Sequence, residues 1–433
     1  MGFFKKIKKE RVCVFGLDGV PHSLLLDLAK QDVMPFFRTL IESGTLHRMK
    51  ASLPEISSVS WTDFMTGTNS GTHGIFGFTD LKENSYAMRF PNFLDVKTET
   101  IWDRLGKADK KNVVINQPST YPARRMNGTL ISGFVAIELS KAVHPITIKP
   151  ALEKIGYEID IDTYKSREDH EFLWKELDRT LAGRAKAFDL LWQEEWDYFE
   201  LVITGTDRLQ HFLWDAYADI DHPYHQRFLD YYRQIDINLK KMAGAYEKLT
   251  GGYDGLFLLS DHGFTGIEQE VYLNAWLQKE GYLSYLTDEP KNMDDISTDS
   301  RAFAMDPSRI YFHYQDRYPR GSVNPSERDA LAAEIKAKLA PLTHNGTKVV
   351  HEVFDTRDIY SGPYVEKGPD LIVLSEHGYD MKGSVKKKEI FGRSNLQGMH
   401  TWDDAFFWSL DEHGPDLAIS QLSNIILDRF GLK

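Results

Sequence analysis

The sequence predicts an α/β fold built on a buried, mostly parallel sheet, and three observations carry that expectation. Short apolar, β-branched runs recur between stretches of helical periodicity. Acidic residues and histidines stand where those runs end, which is the edge at which parallel sheets bind ligands. The chain, at 433 residues, is also long enough for one α/β core with insertions.

Taken in order, the run Arg11–Leu17 predicts the first strand, and helices follow near Ser23–Lys30 and from Met34 to Ser43, where Gly44 stops the second. A helix over about Ser58–Met65 comes next, then a helix at Ile101–Ala108 and strands at Val113–Asn116 and Thr129–Ser132. A charged, Trp-containing helical stretch covers about Arg167–Glu195, ahead of a strand at Tyr198–Thr204 and a helix from about Tyr224 to Leu249. Past a helix at Leu273–Glu280, Thr287–Ser300 has the composition of a surface loop. Residues from about 301 to 390 read as an insertion suited to a cap, with a strand at Arg309–Tyr314, a helix at Ser326–Leu339 and a strand at Asp370–Leu374. A helix at Ile419–Phe430 closes the chain, and no repeat of 20–50 residues is visible.

The chemistry lies at the ends of these runs. Asp18 closes Arg11–Gly19, Asp207 and His211 follow Leu201-Val202-Ile203, Asp261 and His262 close Gly255–Gly263, and His400 stands late in Gly398-Met399-His400. Each is expected where a strand runs out. Any one of them alone is an ordinary cap or a satisfied polar residue, but three carboxylates and three histidines placed in this way point to two metal ions. Carboxylate oxygens mixed with imidazole nitrogens suit zinc, manganese or iron, whereas an all-oxygen set would suit magnesium or calcium.

A hydroxyl nucleophile is offered by Pro54–Gly67, where Ser57, Ser58 and Ser60 precede or open an amphipathic helix. Leu17-Asp18-Gly19, Met34-Pro35, the Ser57 segment closing in Thr66-Gly67, His73-Gly74-Ile75, Asp207-x3-His211, Asp261-His262-Gly263 and Gly398-x-His400 follow one another in an order that resembles the alkaline phosphatase superfamily. The likeness is to its type I phosphodiesterase and nucleotide pyrophosphatase branch and to related predicted phosphohydrolases or phosphomutases. It spans most of the chain and is dense in the first 80 residues and around 200–265.

The resemblance implies an alkaline-phosphatase-like three-layer α/β/α sandwich forming one catalytic domain over residues 1–433, with about 301–390 as its cap. It places Asp207, His211 and His400 on one divalent ion and Asp18, Asp261 and His262 on the other, zinc being expected and manganese the alternative. Ser57 becomes the nucleophile that bridges both, by count from Thr66-Gly67. The implied activity is hydrolysis of a small phosphodiester or nucleotide-type pyrophosphate through phosphoserine. A phosphomonoesterase or phosphomutase of the same superfamily is the alternative, and a catalytically inactive metal-containing binding protein is the alternative of another class. The Cys/Ser-x-Pro-x-Arg context of sulfatases is absent from the Ser57 segment.

Two departures from the family pattern stand out. Phe78 occupies the position where the branch carries an Asn for a phosphoryl oxygen, and Asp403-Asp404 after His400 are expected to narrow the mouth and add negative charge. Asp370–Tyr379 echoes Gly255–Phe264, but Glu376-His377 reads as a strand end with solvated polar residues, and His73 as structural. Arg317, Arg320 and Arg393 are read as surface cations.

Composition narrows the remainder. A net charge of −12 opposes binding of a nucleic-acid polymer. Cys13 is the only cysteine and is expected to pack in the first strand, so no internal disulfide forms. The start lacks a signal-peptide pattern and the myristoylation pattern, and no apolar run reaches the length of a transmembrane segment, which leaves the cytoplasm as the expected location. Phe3, Phe4 and Ile7 among lysines read as a frayed basic terminus in preference to a membrane-surface contact. Oligomeric state has no signature in the sequence.

Overall fold

In the computed structural model, residues 9–432 are described, so the basic terminus with Phe3, Phe4 and Ile7 lies outside the described residues. The central sheet has eight strands in the order Thr45–Met49, Ala405–Ser409, Leu256–Leu259, Val12–Leu17, Tyr198–Ile203, Asn112–Gln117, Gly128–Ser132, Val143–His144. The five from Leu256–Leu259 through Gly128–Ser132 are parallel, and the pairings outside them at the two margins are antiparallel.

The layers follow from alternation along the first strand, since successive side chains of a strand point to opposite faces. Cys13, Phe15 and Leu17 enter one apolar core, which buries the helices His22–Lys30, Pro35–Ser43, His170–Leu191, Gly205–Ala218 and His225–Thr250. Val12 and Val14 enter the other, with the helices Ser57–Thr66, Ile101–Lys107 and Leu422–Arg429. The molecule is therefore a helix–sheet–helix sandwich, and every residue of the first strand is buried. Cys13 packs there as a free thiol.

Two elements depart from the sequence expectation. Asp207 and His211 belong to a helix, Gly205–Ala218, so His211 stands a full turn beyond the strand end. His400 lies inside a strand, Gly398–Thr401, which pairs antiparallel with Gly263–Gly266 in a ribbon outside the central sheet. Both departures are short-range. A helix start at Gly205 and a four-residue strand with a glycine carry little local propensity.

A third apolar core gathers Tyr86 with residues from Val271 to Val385. Its framework is a four-stranded antiparallel sheet in the order Ala302–Met305, Arg309–Phe312, Leu371–Ser375, Val350–Asp355, with the helices Leu273–Lys279 and Arg328–Leu339. Buried Arg309 ties it to the first half of the chain by donating to the Thr79 carbonyl at 2.8 Å. No helix among the described residues is long and apolar enough to cross a membrane.

Candidate metal centre

Asp18 is the first residue after the central strand Val12–Leu17, and its place depends on the absence of a side chain at Gly16. A Cβ at Gly16 would lie 2.6 Å from the Trp61 ring, so glycine lets the Ser57–Thr66 helix press its Trp61 against the strand. Trp61 Nε1 then donates to Asp18 Oδ2 at 3.2 Å. Gly19 turns the chain with φ +68°, a left-handed conformation that favours glycine, and its amide donates to Asp261 Oδ1 at 2.9 Å. Thr206 Oγ1 donates to the Asp18 carbonyl at 2.6 Å, fixing the start of the helix that carries Asp207 and His211.

These elements bring together all seven residues expected from the sequence. Asp207 Oδ1 lies 3.4 Å from His211 Nε2 and 3.2 Å from His400 Nε2, and the two imidazole nitrogens are 3.0 Å apart. On the other side, His262 Nε2 lies 3.2 Å from Asp261 Oδ2 and 3.9 Å from Asp18 Oδ1. The His262 and His400 rings stack at 3.6 Å, so the two clusters adjoin. Ser57 is the first residue of its helix and does not cap it; its hydroxyl lies 3.0 Å from His262 Nε2 and 3.3 Å from Asp18 Oδ1. The Ser58 hydroxyl is buried without a partner, and Ser60 Oγ accepts from the Ser52 amide at 3.3 Å.

The donor set fits cations. His211, His262 and His400 each donate Nδ1–H to a backbone carbonyl, of Gly398, Gly263 and Glu55, at 3.0, 3.0 and 2.7 Å. That bond fixes the tautomer and leaves each Nε2 lone pair facing the carboxylates, the usual outer support of a metal-ligating histidine. Asp261 Oδ2 is buried and makes no hydrogen bond. Such an atom, crowded by other carboxylates, lacks the compensation that a buried charge requires.

Charge crowding shows in the acid–base balance. Burial pushes the Asp18 carboxyl well above its usual range, helped by the negative charges of Asp261 and Asp207, and burial pushes Asp261 up to about 7. Burial opposes ionisation of Asp207 too, but the neighbouring His211 and His400 imidazoles and the Arg208 guanidinium outweigh it and hold that carboxyl below the usual range. Burial drives His211 down to about 4 and His262 well below the ordinary imidazole value, so both are neutral near pH 7. For His400, the nearby Asp207 carboxylate overcomes burial and raises the imidazole.

Other residues singled out in the sequence lie apart from these clusters. His73 Nε2 donates to Asp63 Oδ1 at 2.6 Å while its Nδ1 accepts from the Ile75 amide at 3.1 Å, a structural bracket behind the Ser57 helix. His377 is exposed and pairs with Asp403 at 2.9 Å, and Glu376 pairs with Lys348 at 3.2 Å. Both carboxylates of Asp403-Asp404, expected to add negative charge, have partners. Asp403 is taken by His377, whereas Asp404 accepts from Ser23 at 2.5 Å and pairs with Arg48 at 3.3 Å. Arg317 and Arg320 donate to backbone carbonyls, and Arg393 donates to Gln397 at 3.0 Å.

Sequence reasoning missed two neighbours of the centre. Glu55 is buried with Oε2 unpartnered, and burial raises it to about 7. Arg208 donates to Asp207 Oδ2 at 3.0 Å and pairs with Asp160 at 2.7 Å. An Arg beside a candidate ligand is a signal in retrospect, but its partner Asp160 is distant in the chain.

Comparison with known proteins identifies the family and the fold. The family model for type I phosphodiesterase / nucleotide pyrophosphatase matches residues 12–403. Among solved structures, phosphonoacetate hydrolase from Sinorhizobium meliloti 1021, in complex with phosphonoformate or with phosphonoacetate, superposes with a TM-score of 0.64 at 14% identity, covering 98% of this chain and 96% of that one. Murine ectonucleotide pyrophosphatase / phosphodiesterase 5, as an inactive variant in complex with AMP, gives a TM-score of 0.57 at 12% identity with the same coverage, 98% and 96%. No curated protein sequence matches. With a family match over nearly the whole length and an alkaline-phosphatase-like sandwich beneath the site, the chain belongs to the type I phosphodiesterase / nucleotide pyrophosphatase family of the alkaline phosphatase superfamily.

Proposed function

We propose that this protein is a two-metal hydrolase of phosphodiester or nucleotide-type pyrophosphate bonds that works through a phosphoserine at Ser57. The observation that supports this reading best is the convergence of three Nε2 lone pairs, each set by an Nδ1–H bond to backbone, on carboxylates that surround one hydroxyl. Asp207, His211 and His400 would hold one divalent ion, and Asp18, Asp261 and His262 the other, with Ser57 shared. His262 also lies within ligand reach of Asp207 and His400, which sets it between the two positions. Zinc suits this mixture of imidazole and carboxylate, and manganese accepts the same ligands. Bound ions of this kind ease deprotonation of a hydroxyl or water and stabilise the attacking and leaving oxygens of an in-line displacement.

The protein's own residues account for the remaining steps. Ser57 Oγ attacks phosphorus as the bond to the leaving oxygen breaks and the hydroxyl proton passes to that oxygen, giving a phosphoserine that keeps the substrate's other ester group and releasing an alcohol or nucleotide product. Water then attacks the same phosphorus, the P–Oγ bond breaks, and Ser57 regains its proton; two inversions give net retention. Ser57 opens a ten-residue helix whose first-turn amides favour an anionic phosphate. Trp61 holds Asp18 in place, and the Gly19 amide holds Asp261. The region of about 301–390 would act as the cap over the substrate, and one catalytic domain would span the chain.

A metal-reconstituted screen with aryl phosphomonoesters, aryl phosphodiesters, nucleotides and phosphonoacetate tests class and substrate together. Metal-dependent cleavage of diesters or pyrophosphates is expected. Cleavage confined to monoesters would favour a phosphomonoesterase, isomerised product a phosphomutase, and metal binding without turnover of any substrate an inactive binding protein.

A further inference from the structure

Arg208 follows Asp207 in sequence, yet its side chain belongs to a different wall of the centre. Nη1 donates to Asp207 Oδ2 at 3.0 Å, while Nη2 and Nε both donate to Asp160 Oδ2, at 2.7 and 3.3 Å. The guanidinium lies on the face of Phe134, 4.1 Å from the ring centroid, and Phe134 packs edge-on against Phe78 at 5.4 Å. Two aromatic rings on this wall offer no hydrogen-bond donor to an anion. The Arg208 side chain is 12% exposed, beside His400 at 13% and His211 at 23%, so it is one of three groups of the centre that reach solvent. Its positive charge acts on both Asp207 and Asp18, one from each half of the centre.

A guanidinium has about five N–H donors in a rigid fork. The three bonds above engage Nε–H and one N–H on each Nη, so one on each Nη remains. A planar pair of donors matches two oxygens of a phosphoryl group, and fixed donors aimed where charge builds up contribute strongly to phosphoryl transfer. Resting on the phosphoryl-transfer reading of the centre, we propose that Arg208 is a substrate-contacting residue whose two remaining N–H groups bind non-bridging oxygens of the transferred phosphoryl group. Asp160 is then a positioning residue that aims the fork, and Phe134 is its platform. The competing account gives Arg208 only the task of orienting Asp207 as a ligand.

The test uses the full-length, metal-reconstituted protein with Arg208→Ala, Arg208→Lys and Asp160→Asn. Three quantities are read: metal content, affinity for inorganic phosphate by calorimetry, and kcat and KM on an aryl phosphodiester. Arg208→Ala is expected to keep its metal while phosphate affinity falls at least about tenfold and kcat falls roughly 10²–10³-fold. Arg208→Lys restores little, because a point charge lacks the fork, and Asp160→Asn falls between wild type and Arg208→Ala. Unchanged phosphate affinity, or a loss of metal that matches the loss of phosphate binding, overturns the proposal. Should Arg208→Ala fail to fold, Arg208→Lys and Asp160→Asn decide it by the same measurements. A wild type without turnover on any phosphate ester would sink the functional reading, while its phosphate affinity against that of the variants still decides the role of Arg208.

Discussion

His262 Nε2 lies 3.0 Å from Ser57 Oγ, so the hydroxyl of Ser57 shares its position with the imidazole between the two ligand clusters, whereas the adjacent Ser58 hydroxyl is buried without a partner. The helix sets this difference, because consecutive residues point about 100° apart around its axis. Ser57→Ala should therefore lower turnover by on the order of 10³-fold or more while metal content and fold persist. Ser58→Ala should be much milder. Steady-state kinetics with intact-protein mass spectrometry of trapped phosphoprotein separates the two, and the reverse ranking would move the nucleophile by one residue.

Metal content gives a second prediction. Asp207→Ala or His400→Ala should empty one position, and Asp261→Ala or His262→Ala the other, with the shared location of His262 making its variant the more damaging of that pair. His377→Ala serves as the control because His377 is exposed and paired with Asp403. Elemental analysis of folded protein decides; four variants that keep full metal and activity would refute the constellation.

Substrate preference follows from the wall that carries Phe78. A monoester dianion asks for more donors on its free oxygens than a diester monoanion does, and the Phe78 ring, packed against Phe134, supplies none. Aryl phosphodiesters should be cleaved with kcat/KM at least about tenfold above that for monoesters with the same leaving group. A clear monoester preference would reassign the enzyme to the phosphomonoesterases or mutases.

Gly16 offers a test of the scaffold at a distance from the ligands. Gly16→Ala would set a methyl 2.6 Å from Trp61 and 3.1 Å from Val202, both fully packed. Displacing Trp61 takes away the hydrogen bond it gives Asp18, so the variant should lose about 1–3 kcal/mol of stability and bind metal more weakly at the Asp18 position. Denaturant unfolding and metal titration check both halves; a variant with wild-type values in each would mean that the ring moves freely.

Glu200 yields a pH prediction. It lies in the middle strand Tyr198–Ile203, fully buried, accepting from the Tyr198 hydroxyl at 2.6 Å, and burial raises its carboxyl to about 8 from an ordinary 4.5. With the folded value raised, its stabilising contribution is complete below about pH 4.5 and is lost as pH rises through about 8. Glu200→Gln removes that loss. At pH 9 the variant should be more stable than wild type by on the order of 2 kcal/mol, and near pH 4 the two should be alike. Parallel unfolding curves across this range would show instead that Glu200 stays ionised in the fold.

Much of this was legible along the chain because buried strands announce themselves. Val12–Leu17 and Leu256–Leu259 are continuous apolar runs and Tyr198–Ile203 is interrupted only by Glu200, and each is followed within a few residues by a carboxylate. The helix Gly205–Ala218 was hidden by its opening Thr204-Gly205, which reads as a turn, and the His400 strand by its brevity. Local sequence could not show that Asp404 would meet Ser23 and Arg48, or that Asp160 would aim Arg208, since each pair is joined by folding across long separations. Side-chain pairing of that kind has no periodicity to read.

The antiparallel ribbon has an architectural consequence beyond placing His400. Gly266 and Gly398 are paired across it, so the long excursion between them leaves the frame and re-enters at one point, in the manner of a cassette on a hinge pin. The frame on either side of that joint carries Asp18, Ser57, Asp207, His211, Asp261, His262 and His400. The excursion is nonetheless tied back to that frame, the Gln397 amide donating to the His211 carbonyl at 2.8 Å, Arg309 to the Thr79 carbonyl at 2.8 Å and Tyr360 to the Leu53 carbonyl at 2.6 Å, so an engineer who exchanges its sequence has three bonds to keep if the seven side chains are to hold their places.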